Sequence, residues 1–337
     1  MNKSEFDQLP EETVATESEK KIKENLKPSS DYLGDYFKSL GKGEKELLGV
    51  ETGIPSLDER TFGLRGLIVL GGPPKMGKTS FALQLAYEAC LRGTPILFYS
   101  LEMTKYQLFT RILSRIAEIN YVDILLKGGL YLDKGSQNKN ILGEDVDDFN
   151  GLPTQAQVQK LLDAGNSLKY IAPKFYIREQ GDAGEINFES LRREINFIKT
   201  EYKTDKVLVI VDHLQVFPID AKEYHDTLTK ENILISKFNN ISKETGVALM
   251  LISQVNKAGL NNPNAKSLSD IKGSVDNVYI PHFIMNLKSD DSNDEDDGFA
   301  PKKLNLHVTS RDTRSGTIKL IFRGEYSDFR ELEPKVN

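Results

Sequence analysis

The strongest constraint on this fold is a short glycine-bearing loop held between two regular elements. Leu67-Ile68-Val69-Leu70 is a continuous apolar run, the signature of a strand covered on both faces. Gly72-Pro73-Pro74-Lys75-Met76-Gly77-Lys78-Thr79 follows it with the spacing G-x-x-x-x-G-K-[ST]. Phe81 to Leu91 then places Phe81, Leu85 and Ala89 on one helical face. In that order the glycines let backbone N–H groups turn inward around anionic oxygens. The helix, beginning near Lys78, points its positive end at the same place. The loop is therefore a cradle for phosphates.

The remainder of the chain alternates between strand and helix. Pro95–Ser100 reads as a strand and Thr104–Ile116 as a helix. Phe175–Ile177 is a short strand, Phe188–Glu201 a helix, and Lys206–Asp212 a strongly β-branched strand. Lys230–Thr245 predicts a helix and Val247–Ser253 a strand. His282–Leu287 and Leu304–Thr309 form a hairpin around an acidic loop, and Ile318–Arg323 is the last strand. Continuous apolar strands separated by helices predict an α/β fold: a mainly parallel central sheet flanked by helices, with a C-terminal β-hairpin. Residues 129–155, rich in Gly, Asn and Asp, are expected to form a surface insertion. Residues 1–30 are too polar to offset their ordering entropy and are expected to be disordered. In the segment 31–47, Asp31 caps a helix carrying Tyr32, Leu33, Tyr36, Phe37 and Leu40 at helical spacing. The main domain is expected to span residues 48–332.

Composition narrows the class. Of 337 residues, 39% are hydrophobic and 28% charged, as in an ordinary globular protein, and no run of 18 apolar residues suits a membrane span. The N-terminus lacks the apolar core of a secretory signal. A single cysteine, Cys90, excludes a disulfide framework and a cysteine-rich zinc site, so a cytoplasmic compartment is expected. The net charge of −6 argues against nucleic-acid binding by bulk charge. Ser289–Asp297 holds six acids and no base, however, and without them the chain is neutral, which leaves room for a local basic channel. The acidic segment itself reads as a solvated loop, 289–298.

Five groups of residues carry chemistry. Gly72, Pro73, Pro74, Lys75, Met76, Gly77, Lys78, Thr79 and Ser80 would cradle a nucleotide's phosphates, with Lys78 reaching the β- and γ-phosphates of ATP and the Thr79 hydroxyl holding Mg²⁺. Asp212, ending the strand VLVIVD, is a second Mg²⁺ candidate; its other reading is a carboxylate capping a turn. Glu102, in Ser100-Leu101-Glu102-Met103, could take a proton from attacking water, or simply favour a helix N-terminus. Gln254 could sense a γ-phosphate or be a turn residue. Arg311, with Arg314 nearby, suits a forked phosphate contact on a neighbouring subunit, or is solvated surface.

These segments, in this order, resemble the RecA-type motor domain of DnaB-like replicative helicases. The resemblance runs from about Leu48 to Arg330. It is carried by TGIPSLDERTFGL (52–64), PPKMGKTSFALQLA (73–86), FYSLEMTKYQLFTRILS (98–114), VLVIVDHLQVF (207–217), LMLISQVNK (249–257) and SGTIKLIFRGEYSDF (315–329). The SLEM tetrapeptide and the GEY-x-x-F ending are far more specific than the glycine loop alone. The resemblance implies that Lys78 and Thr79 bind phosphate and Mg²⁺, Glu102 is the catalytic base, Asp212 the second Mg²⁺ residue, Gln254 the γ-phosphate sensor and Arg311 a finger acting in trans. It also implies a hexameric ring around single-stranded DNA, a linker helix near 31–40 docking on the adjacent subunit, and a loader or primase as a further partner. The family's DNA-loop position is occupied by Asp270-Ile271-Lys272-Gly273-Ser274-Val275, so Lys272, Ser274 and the nearby Lys257 and Lys266 are DNA-contact candidates. Several features depart from the family: Thr309 stands where it usually has a basic residue before the finger, the DNA-loop pattern lacks its acid and following glycine, and its helical N-terminal domain is expected to be absent. The missing basic residue and the acidic loop lean towards an alternative, a nucleotide-gated ATPase similar to KaiC or RadA that acts in assembly or partner loading.

Overall fold

The computed structural model describes residues 28–30, 33–34, 37, 47–132, 154–254, 280–290 and 301–332. Met1–Glu46 and Leu47–Asn337 are separate units. In the first unit, Ser30, Leu33, Gly34 and Phe37 are helical, the last three within the helix expected from Asp31 and Ser30 just before it.

Among the described residues of the second unit, nine strands form one sheet. They are β1 (Leu67–Gly71), β2 (Ile96–Ser100), β3 (Phe175–Glu179), β4 (Leu208–Asp212), β5 (Ala248–Ile252), β6 (Phe283–Ser289), β7 (Lys302–Ser310), β8 (Gly316–Arg323) and β9 (Asp328–Glu331). Their order is β3-β2-β4-β5-β1-β6-β7-β8-β9. The first six lie parallel and the last three are added antiparallel. The helices are α1 (Pro55–Thr61), α2 (Lys78–Leu91), α3 (Lys105–Ala117), α4 (Tyr121–Leu132), α5 (Gln155–Ile171), α6 (Phe188–Tyr202) and α7 (Thr227–Thr245).

The two-residue period of a strand divides the apolar runs between two cores. Ile68, Leu70, Phe98, Ile210 and Met250 face Phe81, Leu85 and Ala89 of α2. Leu67, Tyr99, Val209, Val211 and Leu251 face Leu191, Ile195 and Ile198 of α6 and Leu234, Phe238 and Ile241 of α7. Both faces are covered, which is why these strands read as unbroken apolar runs. β8 is different. Ile318, Leu320 and Phe322 point inward while Lys319 is exposed, the alternation of a half-solvated antiparallel strand.

Three expectations need correction. The stretch expected as an insertion, 129–155, overlaps two helices: α4 runs through Leu132 and α5 starts at Gln155. Ile124 of α4 and Leu161 and Ala164 of α5 bury against Ala117 and Ile119 in a small satellite core. The signal for α5 was present in Thr154, whose hydroxyl accepts from Gln157 N–H while the Gln157 side chain accepts from Thr154 N–H. Second, α7 begins at Thr227, three residues before the expected Lys230, because the Asp226 carboxylate accepts from Thr229 N–H at 2.8 Å and sets the start. Third, Arg323 does not end the last strand. A turn at Gly324–Tyr326 leads into β9, where Phe329 stacks on Phe322 at 4.4 Å and meets Phe81 edge-on at 5.0 Å. Gln84 of α2 clips that strand in place, donating to Phe329 O and accepting from Phe329 N–H, both at 2.8 Å. The acidic loop is described only as far as Asp290, and the tail expected to be disordered only from residue 28.

Candidate active site

All six parallel strands end on one edge of the sheet, and the loops leaving that edge converge. Lys75 and Gly77 adopt the left-handed conformation (φ 64° and 77°), which curls the loop after β1 back onto the start of α2. Gly77 is required for a second reason. A Cβ there would stand 2.7 Å from the ring of Phe322 on β8. The curled loop turns inward on a cavity of about 240 Å³, lined by Pro74, Lys75, Gly77, Lys78, Thr79, Glu102, Arg111, Asp212, His213, Ile252 and Gln254.

Inside it, Lys78 Nζ donates to the carbonyls of Gly72 and Pro73, both at 2.8 Å. Burial lowers its pKa to about 8, against the pull of Asp212 and Glu102. The ammonium thus rests on its own loop, within reach of any phosphate the loop encloses. Asp212 is 1% exposed at the tip of β4. Burial raises its carboxyl to about 6, although the Thr79 hydroxyl hydrogen-bonds it and Arg111 and Lys78 oppose the shift. Its Oδ2 is buried with no hydrogen-bond partner. An orphaned carboxylate oxygen beside a hydroxyl is the oxygen donor pair that Mg²⁺ uses when phosphates and water complete its shell. Among the described residues no group of three or more His, Cys, Asp or Glu could hold a metal on its own.

Glu102 lies on the loop between β2 and α3 with its side chain 46% exposed. Thr104 is the N-cap of α3, so Glu102 lies outside the helix. The acid at that helix end is Glu179, which accepts from Lys105 N–H at 2.6 Å. Glu102 instead opens onto the cavity. Gln254 reaches the same cavity from β5, whose end is tied to β1 by Ser253 N–H donating to Leu70 O at 2.9 Å. Met76 packs on the core rather than lining the cavity.

Sequence reasoning missed two residues. Arg111 extends from α3, donates to Ser80 Oγ at 2.8 Å and lies over the Tyr121 ring at 5.9 Å. Burial lowers its pKa, with Tyr121 and Asp212 acting against it, so a buried cation faces the phosphate cavity. Mid-helix arginines usually read as solvated, and only the packing of α3 across α2 reveals this one. The second is His213, with Nδ1 3.0 Å from Glu102 Oε1.

Arg311 is elsewhere. It is exposed in the turn after β7, and its N–H donates to His282 O at 3.2 Å, while His282 N–H donates to Leu67 O at 2.8 Å. That is the opposite edge of the sheet. The five residues of β1 separate it from the glycine loop by about 16 Å at 3.3 Å per residue. Arg311 cannot serve the cavity of its own chain. Lys257, Lys266, Lys272 and Ser274, the DNA-contact candidates, lie outside the described residues.

A parallel sheet with a phosphate loop after β1 and a carboxylate closing a strand two places away defines the RecA-like class of P-loop α/β domains. Within that class, the chain belongs to the DnaB-like helicase C terminal domain family, whose model matches residues 49–331. Comparison with known proteins agrees. The chain is 28% identical over 307 residues to the replicative DNA helicase DnaB of Pasteurella multocida, covering 86% of this chain and 57% of that one. It spans less than two thirds of the length of such relatives. Two solved structures share the fold. One, an isolated ATPase domain, superposes with a TM-score of 0.71 at 21% identity, covering 91% of this chain and 100% of that one. The other, a DnaB-like replicative helicase studied with its primase interactions, gives 0.67 at 21% identity, covering 91% and 68%. Among the described residues no helix is long and apolar enough to cross a membrane.

Proposed function

We propose that this chain is the motor domain of an ATP-driven, ring-forming translocase and helicase acting on single-stranded DNA in the cytoplasm. One observation carries the reading. Lys78, Thr79, Glu102, Asp212 and Gln254 line one cavity, while Arg311 sits a sheet's length away at the opposite edge. A cavity equipped in cis and an arginine usable only by a neighbour are the two halves of an ATP site between subunits.

In this reading the loop from Gly72 to Ser80 holds the triphosphate, and Lys78 moves from its own carbonyls onto the β- and γ-phosphates. Thr79 and Asp212 would hold Mg²⁺, whose chemistry there would be charge neutralisation at the phosphates. Glu102 takes the proton of the attacking water. Gln254 contacts the γ-phosphate and, lying at the end of β5, passes its presence into the chain that follows. Lys257, Lys272 and Ser274 lie in that following segment and are proposed to meet the DNA backbone. Arg311 of the next subunit completes the site, and a hexamer closes the ring. A loader or primase is the further partner this role requires.

The test is steady-state ATP hydrolysis with and without single-stranded DNA at low and moderate salt. DNA stimulation that fades with salt supports the motor reading, because phosphate contacts release counterions. Hydrolysis indifferent to DNA would overturn it in favour of a nucleotide-gated assembly ATPase.

A further inference from the structure

His213 follows Asp212 and has no part in the phosphate chemistry described so far. It is 7% exposed. Its position relative to Glu102 follows from strand register. β2 and β4 pair Ser100 with Asp212, and Leu101 N–H donates to Asp212 O at 2.7 Å. The residues just past each strand end therefore face one another, bringing His213 Nδ1 to 3.0 Å from Glu102 Oε1. The contact is too oblique for a well-directed hydrogen bond, and Nδ1 is otherwise buried without a partner. Among the described residues no other hydrogen bond or ion pair holds the Glu102 carboxylate. A half-exposed carboxylate thus meets a buried imidazole ring.

We infer that His213 is a positioning residue, whose Nδ1–H holds the Glu102 carboxylate over the phosphate cavity in the orientation that receives the proton of attacking water. The inference rests on the reading of Glu102 as the base. An imidazole facing a carboxylate carries a proton on the facing nitrogen whether neutral or charged, so the contact does not depend on titration. Hydrogen bonds of this kind align when substrate fills the site. Holding Glu102 beforehand removes the freedom that a flexible carboxylate would otherwise lose on reaching the transition state.

The test is single-turnover hydrolysis of radiolabelled ATP by the full chain with Mg²⁺. His213→Phe keeps the ring and removes the nitrogen, and His213→Leu serves if the former does not fold. His213→Asn places an amide N–H where Nδ1 stands. The expected result is a loss of about 10- to 100-fold in His213→Phe, a fraction of what a positioned base supplies. Affinity for a fluorescent ATP analogue should stay within about twofold, and His213→Asn should recover most of the rate. In the Glu102→Gln background, His213→Phe should cause no further loss, because the group it positions is gone. A wild-type rate in His213→Phe, no recovery in His213→Asn, or a loss that multiplies in the double variant overturns the inference. A wild-type rate in Glu102→Gln itself shows instead that the reading of Glu102 has failed, and this inference with it.

Discussion

Lys78 illustrates how one side chain serves two states. Its ammonium is desolvated, yet it keeps two carbonyl acceptors from its own loop, so the site is formed before any phosphate arrives. Lys78→Ala removes the buried charge that the loop can carry onto the terminal phosphates. It should weaken ATP binding and abolish turnover, with a loss of at least about 100-fold in kcat/KM, measured by calorimetry and phosphate release. Glu102→Gln should separate the two functions. Nucleotide should still bind with near-normal affinity while hydrolysis falls by about 100-fold or more. A variant that loses both together would place Glu102 among the binding groups. The glycine motif and the SLEM segment made Lys78 and Glu102 legible in the sequence, and both line one cavity. Arg111 was not legible, since its role comes from α3 crossing α2.

At the level of elements, what holds the site is the attachment of the antiparallel strands to α2. Gly77 leaves room for Phe322, Phe322 stacks on Phe329, and Gln84 fastens Phe329 to the helix that carries Lys78. Gly77→Ala forces a side chain into a left-handed backbone and against that ring. The backbone strain alone costs about 1–3 kcal/mol, so chemical unfolding should show at least that loss, together with impaired nucleotide binding. Glu88 ties α2 to α3 from the other end. Its carboxylate accepts from Arg115 at 2.6 Å and from Arg92 at 2.9 Å. Burial pushes its pKa up, but the two guanidinium groups more than offset this and hold it below the ordinary carboxylate value. A depressed carboxylate contributes stability above its unfolded pKa, and that stability is lost as pH falls through the folded pKa. Glu88→Gln should therefore cost about 1–2 kcal/mol at pH 7, and the gap to the parent protein should close as pH falls below about 4. Urea unfolding across that range measures both.

In the whole molecule, the position of Arg311 carries the most consequence. On the proposed reading, an arginine on the edge opposite its own glycine loop leaves half a site on each side of the chain, and turnover would be a property of the assembly. Arg311→Ala should leave ATP binding intact and reduce hydrolysis by about 100-fold or more. Mixing it with Lys78→Ala protein, itself inactive, should restore part of the activity. Interfaces that pair a wild-type phosphate loop with a wild-type arginine then reappear. Titrating one variant into the other and recording phosphate release distinguishes this from an arginine acting within its own chain, for which every mixture stays inactive.

The alternation of apolar strands and helices, and the glycine loop between Leu67–Leu70 and Phe81, were enough to establish a parallel α/β sheet and its phosphate site. Both follow from local rules: strands covered on two faces are apolar throughout, and a phosphate cradle needs glycine and lysine at set intervals. Strand β6 was legible for the same reason, and β7 by the alternation of Leu304, Leu306 and Val308 with Asn305 and His307. The limits of α4 and β9 were not, because Ile124 and Phe329 are recognisable as core only beside the surfaces they cover. The meeting of Glu102 with His213 depends on the register of β2 against β4, which joins residues more than a hundred positions apart. No local pattern encodes such a register. It follows from packing all the strands at once, as does the distance between Arg311 and the glycine loop of its own chain.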